Sequence, residues 1–264
     1  MTRPFALVAA ATLVCLAGCS STSGPSASNE QATAEPEASQ PAAGALAPVP
    51  DDSWTTKRVG GDLFTTVERR GESFFWNQCS ITTPLPQGYP DPTPPGAIEL
   101  KKYPAVRRAE VSGSRNSDIG MNGAFWPLFQ HIKKRDIAMT SPVEMDYRSM
   151  PVGGKVFAPE ADGQADSQWT MSFLYRTADL GPQGQDGVVV VTDAQPVTVL
   201  AKGLKGGYSE RMIQREIDAL AAWIDAQTEW EVAGPPRAFY YNGPEVRARD
   251  RWAEAQIPVR RRAN

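Results

Sequence analysis

The sequence predicts an α+β fold, in which an antiparallel β-sheet closes into a distorted barrel and carries two α-helices on its outside. Three observations predict it. Several segments alternate apolar and polar residues, which is typical of half-buried strands. Two other segments place their apolar residues at helical spacing. Both halves of residues 96–246 run strand, strand, helix, strand, so two pseudo-repeats are expected to build the barrel.

The first half begins with a strand region over residues 98–111, followed by a polar loop that ends at Asn122. Asn122 is a suitable N-cap, and Pro127 is best tolerated in a first turn, so a helix is predicted to begin here. Its apolar stripe consists of Phe125, Leu128, Phe129 and Ile132. Residues 137–147 follow as an alternating strand, and the interior Pro142 predicts that this strand is an edge, bulged or interrupted one.

Residues 169–175 alternate large apolar side chains with smaller ones and predict another half-buried strand. The second half then repeats the order, with strands over residues 188–201, a helix over residues 208–227 and a proline-containing strand over residues 230–244. The apolar stripe of this second helix consists of Ile213, Ile217, Leu220, Ala221 and Ile224.

The first residues are typical of an export signal. One cation, Arg3, precedes an apolar run over residues 5–16 that is too short to cross a bilayer as a helix. The run ends in LAGC at residues 16–19, which resembles the bacterial lipobox, whose Cys becomes the lipidated first residue of the mature protein. We therefore expect a signal peptide over residues 1–18 and a lipid anchor on Cys19. The alternative is an ordinary signal followed by an incidental Cys.

Composition sets three further segments apart. Residues 19–52 are rich in Ser, Ala, Pro, Glu and Gln and predict a disordered tether behind the lipidated Cys. Residues 53–95 form an extension with enough apolar material to pack onto the domain, and they end in a proline-dense stretch that marks a boundary. Residues 247–264 are expected to form a polar C-terminal tail.

Counts of residues exclude several classes of function. The formal net charge of −3 gives no reason to expect nucleic acid as a partner. With one His, and with Cys79 as the only cysteine left in the mature body, neither a Cys/His zinc cluster nor an internal disulfide is expected. The chain contains no GxSxG, HExxH, P-loop or dinucleotide glycine pattern, which disfavours an enzyme. Glu144 and Asp146 share one strand face, which we expect to be solvated.

Five tracts resemble the SOUL haem-binding proteins in their residues and in their order along the chain: IELKKYPAVRRAEV, FWPLFQHI, IAMTSPVEMDY, SFLYR and FYYNGPEVR. IAMTSPV is the most specific of them, since it stands directly behind the amphipathic helix. The resemblance implies that residues 96–246 form a SOUL-like domain, a twisted antiparallel barrel flanked by two helices. It also implies binding of haem or a related tetrapyrrole on an apolar surface beside the first helix. The tail after Asn242 and the N-terminal extension depart from the family pattern.

A tetrapyrrole site needs apolar side chains against the ring faces, cations for the carboxylates and, in some proteins, an axial ligand to the iron. The first helix offers such residues together. The predicted ligand-binding residues are Phe125, Leu128, Phe129, Ile132, His131, Lys133, Lys134, Arg135 and Met139. Alternatives remain open at each: the stripe also suits core packing, the cations suit the end of a helix dipole, and Met139 suits the barrel interior. His131, a possible axial ligand, also suits a half-exposed polar position.

These features favour a membrane-tethered binding protein for haem or another tetrapyrrole, acting as carrier, buffer or scavenger. The expected location is the cell envelope, lipid-anchored on the periplasmic side, and the outer membrane if the cell has two, because Ser20 follows the lipidated Cys. An alternative is an effector-binding or protein-interaction module that uses the same barrel for another apolar ligand. An enzyme acting on tetrapyrroles is the third hypothesis.

Overall fold

The computed structural model describes residues 54–114, 117–157 and 167–263. The predicted signal peptide, the lipidated Cys19 and the tether lie outside these residues. In the described part of the chain, no helix has both the length and the apolar character needed to cross a membrane.

The described residues contain fourteen strands and two α-helices. The strands are β1 (Thr56–Gly61), β2 (Glu68–Arg70), β3 (Ser73–Trp76), β4 (Cys79–Ile81), β5 (Ala97–Tyr103), β6 (Val106–Gly113), β7 (Val143–Tyr147), β8 (Trp169–Leu174), β9 (Gly184–Asp186), β10 (Val189–Ala194), β11 (Val197–Lys205), β12 (Trp230–Val232), β13 (Arg237–Tyr240) and β14 (Trp252–Arg261). The helices are α1 (Ser117–Lys134) and α2 (Glu210–Asp225).

Eleven strands form one mostly antiparallel sheet in the order β1-β5-β11-β14-β13-β7-β8-β6-β10-β9, with β12 also paired to β14. The path ends at β1 on one side and at β9 on the other, so the described strands form an open sheet and the predicted closed barrel is wrong. Closure requires the two end strands to pair. Alternation of side chains shows which residues face the core, but not which strands become neighbours. The α+β class itself is correct, with two helices on an antiparallel sheet.

The two predicted pseudo-repeats are present, and each contains one strand more than the predicted order; in the first repeat this is the strand predicted over residues 169–175. The first consists of β5, β6, α1, β7 and β8, and the second of β10, β11, α2, β13 and β14. In the sheet, β7 and β13 pair at the centre, and the equivalent strands follow in the same order toward both edges. The order within each repeat is therefore strand, strand, helix, strand, strand.

The predicted polar tail over residues 247–264 contains the extra strand of the second repeat. β14 lies inside the sheet, paired with β11 on one side and with β13 on the other. Ala253 and Ala255 face the helices, while Glu254 and Gln256 on the opposite face are also buried. Ile257 and Val259 continue the face of the two alanines. The prediction failed because small alanines that alternate with Glu254 and Gln256 give only a weak apolar pattern at the start of the strand.

The helix α1 begins at Ser117, five residues before the predicted start at Asn122, and encloses Pro127 in its interior. An interior proline leaves the carbonyl four residues earlier without its helical partner. That position is Gly123, which is exposed, so water can take the place of the missing donor. The helix therefore tolerates the proline.

The predicted strand over residues 137–147 is interrupted. Only β7 at its C-terminal end pairs with neighbours, and the cis peptide bond between Ser141 and Pro142 precedes it. Pro142 thus marks the start of pairing, in agreement with the expected interruption.

The second helix agrees with its prediction. Ser209 has extended backbone angles, and its hydroxyl accepts a hydrogen bond from the backbone N–H of Met212 at 3.2 Å, which caps the helix. All five residues of the predicted stripe are buried against the sheet. Burial of this face, more than helix propensity, stabilises α2.

The N-terminal extension packs on the sheet face opposite the helices. β1 pairs with β5 at the edge of the large sheet, and β2, β3 and β4 form a small sheet of their own. Phe74, Ile81 and Leu85 of the extension are buried with Phe239 and Trp252 of the sheet. The extension therefore adds a second apolar cluster to the one under the helices.

The extension also covers Glu144, which we expected to be solvated. Glu144 is 1% exposed and accepts hydrogen bonds from Arg237 at 3.2 Å and from Arg108. Next to this group, Lys101 donates to Glu254 at 2.9 Å, and both side chains are 0% exposed. A buried charge is tolerated when it is paired and hydrogen-bonded, as these are. Of the predicted solvated face, Glu144 is therefore interior and Asp146 is half-buried.

Candidate functional site

The apolar stripe of α1 faces the sheet along only part of its width. Leu128 and Ile132 are 0% and 4% exposed and belong to the apolar cluster between helices and sheet. Phe125 and Phe129 are half-buried at the edge of that cluster. Trp126 is 62% exposed. The stripe thus contributes its aliphatic residues to the core and leaves aromatic rings at the surface.

Phe125, Trp126 and Phe129 form a group of rings that we call the aromatic surface. The rings of Phe125 and Phe129 stack, with centroids 5.9 Å apart and planes 13° from parallel. The Trp126 ring stands at 85° to Phe129 with a centroid distance of 6.0 Å. Beneath them, the ring of the buried Phe173 in β8 meets Phe125 edge-on at 5.2 Å. The contacts support the half-buried rings from below and leave the indole accessible.

Sequence reasoning missed Trp126 as a site residue. A signal for it was present, because residues 126, 129 and 133 follow i, i+3, i+7 spacing and share one helical face. A large exposed apolar ring on such a face is more informative than a buried one, since a buried aromatic is accounted for by packing alone.

The three predicted cations have different surroundings. Lys133 and Lys134 are exposed, whereas Arg135 is half-buried and forms an ion pair with Asp186 of β9. Seven residues separate Trp126 from Lys133, which places Lys133 about 10.5 Å further along the helix axis and about 20° around it. An exposed ammonium group therefore follows the aromatic surface on the same side of the helix, and Arg135 is engaged elsewhere.

His131 is buried, and both of its ring nitrogens have partners. Its Nδ1 lies 2.8 Å from the Asp186 carboxylate, and its Nε2 lies 2.8 Å from the hydroxyl of the buried Tyr175. Burial lowers the pKa of His131, and the nearby Arg135 lowers it further, while the hydrogen bond with Asp186 opposes them. A neutral imidazole that donates from Nδ1 to the carboxylate accepts a hydrogen bond from the Tyr175 hydroxyl at Nε2.

Met139 is half-buried and packs against the apolar cluster under the helices. It precedes β7 in the segment that does not pair with the sheet, so its thioether is held by packing and not by a strand. A flexible, polarisable side chain in this position can adapt to a neighbouring surface.

The residues of α1 fit a flat apolar ligand with carboxylates at its rim better than they fit an iron ligand. The aromatic surface offers ring faces, and Lys133 and Lys134 offer exposed cations. For His131 to bind an iron, its Nε2 would first have to lose the hydrogen bond from Tyr175. The fit thus rests on stacking and charge, and axial ligation by His131 stays a prediction.

Comparison with known proteins identifies the family of this domain. A family model described as SOUL heme-binding protein matches residues 91–257, well over half of the chain. The match confirms the resemblance seen in the sequence and extends it past residue 246, into β14. No curated protein matches the chain.

Several solved structures are similar to this chain at low identity. EcmrR in its complex with DNA is 14% identical over 61% of this chain, with a TM-score of 0.48, and the match spans 56% of the length of that protein. The isolated C-terminal domain of EcmrR is 16% identical over 62% of this chain and 96% of its own, with a TM-score of 0.46. A conserved protein from Listeria innocua is 13% identical over 64% of this chain and 94% of its own, with a TM-score of 0.44. None of these similarities bears on ligand or activity.

Proposed function

Because the chain belongs to the SOUL heme-binding protein family, we propose that it binds haem or a related tetrapyrrole on the aromatic surface of α1. The observation that carries this proposal is the 62% exposure of Trp126 beside the half-buried Phe125 and Phe129. Exposed aromatic groups of this kind mark interaction sites more often than isolated surface residues do. A tetrapyrrole covering these rings would remove apolar surface from water.

In this mode the rings contact the macrocycle, and Lys133 and Lys134 pair with its carboxylates. Such surface ion pairs each contribute no more than about 1 kcal/mol, so the apolar contact dominates the affinity. Haem would bring an iron centre to the site, but the proposed contacts do not depend on it. Metal-free protoporphyrin should therefore bind about as tightly as hemin.

The proposal extends to the place of the protein in the cell. The LAGC tract and the Pro/Ser/Ala-rich segment after it support a lipid anchor on Cys19 and a tether over residues 19–52. We propose that the domain is held at the periplasmic side of the cell envelope and acts as a carrier, buffer or scavenger without catalysing a reaction. Palmitate labelling of the protein, lost in Cys19→Ala, would test the anchor.

The binding proposal is tested by titrating hemin and protoporphyrin into the purified protein and following the Soret band and tryptophan quenching. Trp126→Ala should weaken the binding of hemin and of protoporphyrin about tenfold each, because a stacked ring contributes about 1.4 kcal/mol at such a site. Phe64→Ala is the matched control, since Phe64 is also an exposed aromatic, at 90%, but lies in the extension. Equal affinity in wild type and Trp126→Ala would reject the aromatic surface as the site.

A second titration separates this function from a general apolar binding module. A neutral hydrophobic dye of similar size, such as Nile red, is added in competition with protoporphyrin. The proposal requires protoporphyrin to bind more tightly than the dye. In Lys133→Glu/Lys134→Glu the affinity for protoporphyrin should fall, while the affinity for the dye should not change. Equal binding of both compounds, with no effect of the two lysines, would favour the effector-binding alternative instead.

A further inference from the structure

A second candidate site lies between α2, β11 and the N-terminal extension. It is an open concavity of about 390 Å³, within the range of about 300–1,000 Å³ that is common for small-molecule sites. It shares no lining residue with the aromatic surface of α1. The side chains that matter for its chemistry are Trp76, Lys202, Lys205, Met212, Arg215 and Glu216.

One wall of the concavity is an indole held in a fixed orientation. Trp76 is half-buried in β3, and its Nε1 donates a hydrogen bond to the Thr65 hydroxyl at 2.6 Å. The ammonium group of Lys205 lies 5.7 Å from the centre of the indole ring. Met212 of α2 also lines the concavity and is half-buried. A flat apolar group therefore finds an aromatic ring and an adaptable thioether here.

The backbone shapes the concavity between these side chains. Gly203 of β11 lies so close to the extension that an added Cβ would be 2.2 Å from the carbonyl oxygen of Pro94. Pro95 forms a bridge to the same glycine. Because two backbone segments are in direct contact, this side of the concavity cannot easily collapse or widen.

The charges around the concavity are unbalanced. Lys202, Lys205 and Arg215 face a single carboxylate, Glu216, so three positive charges stand against one negative charge. Lys202 donates to Glu216 at 2.6 Å, and Arg215 donates to it at 2.9 Å. Burial raises the pKa of Glu216, but the hydrogen bonds from Lys202 and Arg215 and the positive charges of the same two residues together lower it, so the carboxylate stays ionised. A local excess of two positive charges remains in a chain whose net charge is −3.

We propose that this concavity binds an aromatic carboxylate. Its ring would lie against Trp76 and Met212, and its carboxylate would pair with Lys205 and Arg215, the cations nearest to solvent. A neutral aromatic compound would leave the excess charge uncompensated, and a small inorganic anion would leave the apolar wall uncovered. The proposal is independent of tetrapyrrole binding at α1.

The test compares pyrene-1-butyrate with the neutral pyrene-1-butanol, using pyrene anisotropy and energy transfer from tryptophan. The carboxylate should bind at least tenfold more tightly at low salt, and this advantage should disappear near 1 M salt, where the Debye length is about 3 Å. Lys205→Glu/Arg215→Glu should remove the same advantage. Arg211→Glu, an exposed cation on α2 outside the concavity, is the matched control and should leave it unchanged.

Two results would overturn the proposal. One is equal and salt-independent binding of the two pyrene compounds to the wild-type protein. This test does not depend on whether any variant folds. The other is loss of pyrene-1-butyrate binding in Trp126→Ala, which would place the compound on the aromatic surface of α1. Conversely, loss of protoporphyrin binding in Trp126→Ala with pyrene-1-butyrate binding intact would support both sites separately.

Discussion

Truncation of Leu128 and of Trp126, two residues apart in α1, should affect stability and ligand binding to different extents and in opposite order. Leu128 is 0% exposed in the core, so Leu128→Ala removes buried methyl groups and leaves a cavity, which lowers the free energy of unfolding by about 2–5 kcal/mol. Trp126 is 62% exposed and meets Phe125 and Phe129 only at ring edges, so Trp126→Ala should lower it by no more than about 1 kcal/mol. For protoporphyrin binding we expect the reverse, with the larger loss of affinity in Trp126→Ala and the smaller in Leu128→Ala.

Urea unfolding followed by far-ultraviolet circular dichroism measures the first quantity, with wild type and both variants compared at equal slope. Protoporphyrin titration at low temperature, where Leu128→Ala remains folded, measures the second. We expect Trp126→Ala to weaken binding about tenfold and Leu128→Ala to change it by less than about twofold. A loss above about 2 kcal/mol for Trp126→Ala, or below about 1 kcal/mol for Leu128→Ala, would refute the division of the stripe into core and surface.

Three further predictions concern the rest of the domain. The pKa of His131 is lowered in the folded protein, so below about pH 6.5 the unfolded chain binds more protons than the folded one. The free energy of unfolding of the wild type, relative to that of His131→Gln, should therefore fall as the pH drops below that value. Lys101→Met should lower the free energy of unfolding by about 3–5 kcal/mol, because Glu254 is left as a buried charge without its cation, and adding Glu254→Gln should recover part of the loss. Gly203→Ala should destabilise by about 2 kcal/mol or more through overpacking, whereas Gly123→Ala, which meets nothing within 4 Å in α1, should stabilise by about 0.5–1 kcal/mol.

Each of these has a direct check. The untagged protein has a single His, so one imidazole signal in a proton NMR titration reports its pKa, and a midpoint at or above about 6.5 would contradict the first. Urea unfolding measures the others. Additive losses in the Lys101→Met/Glu254→Gln double variant would argue against a coupled buried pair. Equal responses of the two glycine variants would show that close backbone contact is not what requires Gly203.

Local patterns in the sequence were sufficient for much of the fold. The stripes of both helices, the alternation in residues 169–175 and the duplicated order of elements all correspond to observed structure. The repeat even contained the means to find β14: a strand follows β7 in the first half, so one was to be expected after β13 in the second. It was overlooked because its apolar face begins with two alanines that alternate with Glu254 and Gln256, and reaches Ile257 and Val259 only near the end of the chain.

The candidate site was predictable in part. The helix that carries it and the residues of its stripe follow from spacing, since one face of an amphipathic helix must be buried. Which residues lie at the edge of that face depends on how the helix is seated on the sheet. Trp126 was missed for this reason. The surroundings of His131 depend on Tyr175 and Asp186, which are distant in sequence, and no local pattern indicates that they meet.

By itself, the sequence determined the family, the two amphipathic helices, the duplicated strand pattern and the residue types available to a ligand, because these depend on local residue identity and spacing. Only the tertiary structure decided that the sheet stays open, that Glu144 and Glu254 are interior, and that Trp126 is exposed while Leu128 beside it is buried. Those outcomes depend on which distant strands pair and on what the extension covers. Pairing and burial are set by the packing of the whole chain, and periodicity along the chain does not record them.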